Sequence, residues 1–248
     1  MSDPTTTTKP LRIGVLFEQT QMIDLAGLDL LGNLTPKTLD MVSTLNPTFE
    51  PLKQYAIPME FLYISSSLDL AWTTPEMHVK PTHTYANAPR DLDIILMGGP
   101  DPMNVKEESL TFLREASKQT KVILTTCTGA MWLARAGLLD GKKATTNRVM
   151  LNVAKKMMPQ VEWLDQRWVV DDGHFEGAQI WTSGGAGCGK FSNRCDVEGV
   201  LTCQGIDMVI EYTYQNFNQK VVEIGCVGLD FDFEGRSQFY KRPLVSLA

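Results

Sequence analysis

The sequence predicts an α/β fold, a doubly wound and mostly parallel sheet sandwiched by helices. Three observations carry that prediction. Apolar runs of strand length recur at 11–17, 59–65, 92–98 and 121–126 (LRIGVLF, MEFLYIS, LDIILMG, KVILTT). They are continuous rather than alternating, as expected of parallel strands covered on both faces. Helix-patterned segments lie between or after them, and this alternation is the signature of a parallel sheet.

Taken in order, the opening MSDPTTTTKP has no apolar stretch of a secretory signal and reads as a disordered tail over 1–10. The first strand leads into DLAGLDLLGNL (24–34), where Leu25, Leu28 and Leu31 fall at helical spacing. Residues 34–58 are rich in turn formers and read as an insertion before the second strand. KEESLTFLREASKQ (106–119) has acids early and bases late, which suits the helix dipole. NRVMLNVAKKMM (147–158) starts at an Asn able to cap a helix and stops before Pro159. RWVVDDGHFEGAQIWTS (167–183) is patterned as a hairpin around Asp-Gly, and QGIDMVIEYTYQNF (204–217) as a helix. A polar, glycine-bearing stretch at 186–202 reads as a second insertion. With no repeat or long linker, one domain is expected over 11–248.

The 248 residues are 43% apolar and carry a formal charge of −6, with a pI near 5.1. No basic stripe is present, so nucleic acid is not the expected partner. No apolar run reaches the roughly 18 residues that span a bilayer. Cys127, Cys188, Cys195, Cys203 and Cys226 are an odd, scattered set, read as free thiols in a reducing cytoplasm. Their long, irregular spacings do not suit a metal site. The tryptophans Trp72, Trp132, Trp163, Trp168 and Trp181 read as core or subunit-contact residues.

Three strand ends hold residues suited to chemistry. Cys127 follows KVILTT and precedes Gly129 and Ala130, small residues that a sharp nucleophile elbow needs. Helix-start N–H groups would lower its thiol pKa, but a buried cysteine packing as a small hydrophobe fits this stretch equally well. Gly98–Gly99 in LMGGPDP could bring a backbone N–H close to a developing anion, or simply form a turn. Asp24 could cap the first helix or exchange protons in the cleft.

Together these pieces resemble the ThiJ/PfpI superfamily, flavodoxin-like proteins related to the class I glutamine amidotransferases. Within it the chain is most similar to the isonitrile hydratase (cyclohexyl-isocyanide hydratase) group. The likeness rests on DLAG, DIILMGG, CTGAMWLARAGLLDGKKATTN, WTSGG and GIDMVIEY in that order, from about residue 11 to 219. It implies a cysteine nucleophile at Cys127, with Asp24 and Thr128 as catalytic partners. It also implies oxyanion donors at the N–H groups of Gly99 and Thr128. The activity implied is hydration of an isonitrile to an N-substituted formamide, without metal or organic cofactor, by a homodimer acting on a small molecule.

Two departures accompany the resemblance. Thr128 and Asn147 stand where related proteins place a histidine after the cysteine or in an ATTH segment, and His78, His83 and His174 lie elsewhere. The 186–202 insertion interrupts a turn that borders the site in the family, and could act as a lid or as a surface loop. The alternatives are a glyoxalase- or deglycase-type activity on small α-oxoaldehydes, using Cys127 with Glu18 or Asp24, and a non-catalytic cysteine redox sensor. Relatives also serve as ligand-binding halves of transcription regulators, but no helix-turn-helix segment is evident.

Overall fold

The computed structural model describes residues 9–185 and 204–229. The 186–202 insertion, Cys188, Cys195 and Cys203 lie outside them.

The chain opens with β1 (Leu11–Leu16), a 3-10 turn (Met22–Leu25) and α1 (Gly27–Asn33), followed by α2 (Pro36–Leu45) and a second 3-10 segment (Pro47–Tyr55). The stretch read as turn-rich is therefore largely helical. Pro36 and Pro47 each sit at the start of a helix, where the missing N–H costs nothing. β2 (Met59–Ser65), β3 (Ala71–Thr73), β4 (Met77–Val79), β5 (His83–Thr84) and β6 (Ile94–Met97) come next. Then come α3 (Glu107–Ala116), β7 (Val122–Thr125), α4 (Gly129–Arg135), β8 (Lys143–Ala144), a 3-10 turn (Arg148–Met150), α5 (Leu151–Met157), β9 (Glu162–Trp163), β10 (Trp168–Asp172) and β11 (Gln179–Ser183). The described part closes with α6 (Gln204–Asn216) and α7 (Gln219–Val227). No helix among the described residues is long and apolar enough to cross a membrane.

Seven strands form the central sheet in the order β10-β11-β7-β6-β1-β2-β5, parallel throughout except for the β10–β11 pair. The expected hairpin is present, joined by a longer connection over 173–178 than the Asp-Gly pair alone suggests. Alternate residues of the inner strands enter two cores. Ile13, Val15, Ile94, Leu96, Val122 and Leu124 pack with residues of α1, α6 and α7. Leu16, Ile95, Met97 and Ile123 pack on the other face with residues of α3, α4 and α5. Burial on both faces is why these strands read as unbroken apolar runs. Trp132, Trp163, Trp168 and Trp181 are buried, whereas Trp72 is partly exposed.

The order places the site. The chain leaves β1 toward β2 on one side and reaches β6 and β7 on the other, so strand order reverses at β1. In open sheets of this kind a crevice forms at that reversal, outside the carboxyl ends of the strands. Asp24 follows β1, Gly99 follows β6 and Cys127 follows β7, all at that rim.

Candidate functional site

Cys127 sits between β7 and α4 with a φ of 59°, in the left-handed region that non-glycine residues avoid. The surroundings hold it there. Its N–H donates to the Gly184 carbonyl at 2.8 Å, and its own carbonyl accepts from Thr146 Oγ1 at 2.9 Å. The elbow turns so tightly that a Cβ on Gly129 would lie 2.7 Å from the Gly98 carbonyl oxygen. Such strain at a cysteine on a strand end fits an elbow better than an inert core position.

Gly99 is the hub of the site. Its N–H donates to Asp24 Oδ2 at 3.0 Å, joining residues 75 apart in sequence. A Cβ at this position would lie 2.5 Å from Thr128 Oγ1 and 3.0 Å from Cys127 Cβ, so Asp24, Thr128 and Cys127 converge on one glycine. The N–H that the resemblance gives to an oxyanion is thus engaged by the Asp24 carboxylate. To serve an adduct, it has to be released by Asp24. The Thr128 hydroxyl lies 2.7 Å from the Pro100 carbonyl oxygen and also within reach of the thiol.

A residue that sequence reasoning left out completes the site. Asn147 donates from Nδ2 to Cys127 Sγ at 3.2 Å, while its Oδ1 accepts the Val149 N–H at 3.1 Å. The second bond fixes which end of the amide faces the sulfur. The signal was present: Asn147 occupies the place of the ATTH histidine. It supplies a neutral donor that can hold a thiolate but cannot take its proton.

The electrostatics differ from expectation. Burial, first, and the charge of Asp24, second, push the Cys127 thiol up from 9.0 to about 11, against the opposing pull of Asn147 and Thr128. The helix-start donors do act, but α4 is only seven residues long and its contribution is outweighed. At neutral pH Cys127 therefore rests as a protonated thiol. A thiol raised on folding favours the folded state fully below pH 9, and that contribution is lost as pH rises toward 11. In the Asn147→Leu variant one donor to sulfur is gone, and the thiol ionises at still higher pH. Alkylation of Cys127 followed against pH, with peptide mass mapping, measures both midpoints. An unmoved or lower midpoint in that variant would remove Asn147 from the site.

None of the remaining candidates is among the groups that shift the thiol. Glu18 accepts the Ser66 N–H at 3.0 Å and faces Tyr85, whose hydroxyl is pushed up first by burial and then by Glu18. His83 is on β5, four strands from β7, or about 19 Å across the sheet. His78 is in the β3–β4 pair, and His174 is in the connection before β11, at the opposite rim. No histidine is among the groups that shift the thiol. Among the described residues no group of three or more His, Cys, Asp or Glu side chains could hold a metal ion.

Comparison with known proteins gives the family and the fold. A model of the DJ-1/PfpI family matches residues 52–188. Isonitrile hydratase from Pseudomonas putida is 28% identical over 211 residues, covering 82% of this chain and 78% of that protein. The HTH-type transcriptional regulator GbdR from Pseudomonas aeruginosa is 30% identical over 105 residues, covering 42% of this chain and 29% of the regulator. Among solved structures, a ThiJ/PfpI family protein from Pseudomonas syringae superposes with a TM-score of 0.64 at 19% identity, covering 96% of this chain and 84% of that one.

Proposed function

Since the chain belongs to the DJ-1/PfpI family, we propose that it is a cysteine enzyme that hydrates an isonitrile to an N-substituted formamide. One observation carries the reading: the Cys127 sulfur accepts a hydrogen bond from the neutral Asn147 amide, feels the Asp24 carboxylate, and has no histidine among the groups that shift it. Hydrolysis through a Cys–His pair needs a base that later protonates a leaving group. Addition to a carbon–nitrogen multiple bond expels no part of the substrate, and the one group that leaves is the Cys127 sulfur, which the adduct's own hydroxyl proton restores to the thiol. The addition needs a sulfur nucleophile and one proton, and a thiol beside Asp24 brings both.

The steps balance on that basis. Cys127 Sγ bonds to the terminal carbon of R–NC as Asp24 takes the thiol proton and returns it to that carbon, giving the thioimidate R–N=CH–S–Cys127. Asp24 then orients water, which adds across the C=N bond. Oxygen bonds to carbon and a proton goes to nitrogen. The C–S bond breaks, the hydroxyl proton returns to sulfur, and R–NH–CHO leaves. The Thr128 N–H and the Asn147 amide steady negative charge on sulfur. Losing one such donor typically costs on the order of a hundredfold in rate. No cofactor enters the scheme.

The likeness to the Pseudomonas putida hydratase supports the substrate class. A homodimer belongs to the same proposal, because Met22, Ile23, Trp72 and Met77 leave apolar surface exposed around the Asp24 loop. A redox sensor works best with a thiolate at rest, and Cys127 keeps its proton. A glyoxalase using Glu18 would have to draw that carboxylate away from Ser66. The test is product analysis after separate incubation with cyclohexyl isonitrile and with methylglyoxal. N-cyclohexylformamide without lactate is the expected outcome. Lactate without formamide would replace this reading with the glyoxalase, and neither product with a readily oxidised Cys127 would favour the sensor.

A further inference from the structure

The bonds around the elbow close into a ring that runs through a buried ion pair. The Cys127 N–H donates to Gly184 O at 2.8 Å, and the Gly184 N–H donates in turn to Arg167 O at 2.9 Å. The Arg167 guanidinium pairs with the Asp207 carboxylate, and these residues are only 5% and 6% exposed. Asp207 lies in the first turn of α6. Two residues earlier, Gly205 is so close to Thr126 that a Cβ there would lie 2.6 Å from Thr126 Cγ2. Thr126 precedes Cys127, so the circuit returns to its start.

A buried ion pair is a poor source of stability. Desolvation costs several kcal/mol per ion, and apolar replacements of similar volume are often as stable or more so. Its value here is direction. Arg167 joins three things that packing alone would not hold in register: the end of β11 through its carbonyl, α6 through its guanidinium, and Trp168 under its cationic carbon at 5.3 Å. A cysteine at a φ of 59° relaxes unless its surroundings over-determine it.

We propose that Arg167 and Asp207 are positioning residues for Cys127, clamping α6 and the end of β11 onto the elbow so that the thiol stays facing Asp24 and Asn147. The inference rests on Cys127 as the reactive group, and not on isonitrile as the substrate.

The test follows Cys127 alkylation by iodoacetamide against pH, assigned by peptide mass because the chain has five cysteines. Thermal unfolding is recorded on the same samples. Wild type is compared with Asp207→Asn and with the apolar double variant Arg167→Met/Asp207→Leu, which avoids leaving one charge buried alone. With the clamp gone the elbow relaxes and the thiol moves away from the Asp24 charge and toward solvent. The expected result is an alkylation midpoint lower by a pH unit or more. At neutral pH the thiolate fraction then rises about tenfold and alkylation speeds up severalfold, since the thiolate is the reacting form and a less basic one is a weaker nucleophile. A pair with a merely structural role would lower the melting temperature and leave this midpoint in place. Folded variants with the wild-type midpoint would overturn the proposal, as would failure of both variants to fold, which would make the pair a folding requirement. No substrate is used, so failure to hydrate isonitriles leaves this test intact.

Discussion

Asp24→Asn is expected to fold, to lose hydration activity by about a hundred- to ten-thousandfold, and to ionise its Cys127 thiol at lower pH than wild type. The two readouts move in opposite senses for one reason. The Asp24 charge is, after burial, the main influence holding the thiol up at about 11, so its removal makes the thiolate easier to form. If thiolate supply limited the rate, this variant would be faster. It is slower on this account because the isonitrile carbon needs a returned proton, and a neutral amide can neither accept nor return one. Asn can still accept the Gly99 N–H, so the loop geometry survives. The checks are kcat/KM for formamide formation and the alkylation midpoint. Lower activity with an unmoved midpoint would mean that Asp24 acts at a distance from the thiol, contrary to the site described.

Gly99→Ala carries the second large effect. The new methyl would meet Thr128 Oγ1 at 2.5 Å, Thr128 N at 2.8 Å and Cys127 Cβ at 3.0 Å, and two of those three belong to the elbow's backbone or its first side-chain carbon. Neither can swing aside, so the loop after β6 and the elbow must separate. A shift of about 1 Å at reacting groups can cost on the order of a hundredfold in rate, and overpacking of this kind costs about 1–3 kcal/mol of stability. Gly32→Ala is the control, because nothing lies within 4 Å of a Cβ there. It is expected to keep full activity and to match or exceed wild-type stability. Equal activity in the Gly99 and Gly32 variants would show that the approach of the two loops does not matter for turnover.

Much of this was legible in the sequence for identifiable reasons. β1, β6 and β7 are buried on both faces over most of their length, so composition alone marks them, and the structure places these three and β2 within the expected runs. The gathering of Asp24, Gly99 and Cys127 at one rim was legible because the carboxyl ends of parallel strands lie on one side of the sheet. Residues 34–58 are rich in turn formers, yet Pro36 and Pro47 stand at first helical positions, where proline starts a helix. The thiol was misjudged because a helix start is visible in sequence, whereas the burial of Cys127 and the approach of Asp24 are tertiary. The bond from Gly99 to Asp24 spans 75 residues and leaves no local trace. Asn147 did leave one, as the residue standing in a histidine's place. Asp207 left another, a lone acid among Ile206, Met208, Val209 and Ile210, all buried.

The central claim is that the thiol of Cys127 adds to the isonitrile carbon. Rapid acid quenching during turnover, followed by peptide mass analysis, tests it directly. The expected result is a Cys127 peptide heavier by the mass of one whole isonitrile, lost when substrate runs out, with no formamide made by Cys127→Ala. Continued formamide production by Cys127→Ala would contradict the account, because water would then be reaching the carbon without the sulfur.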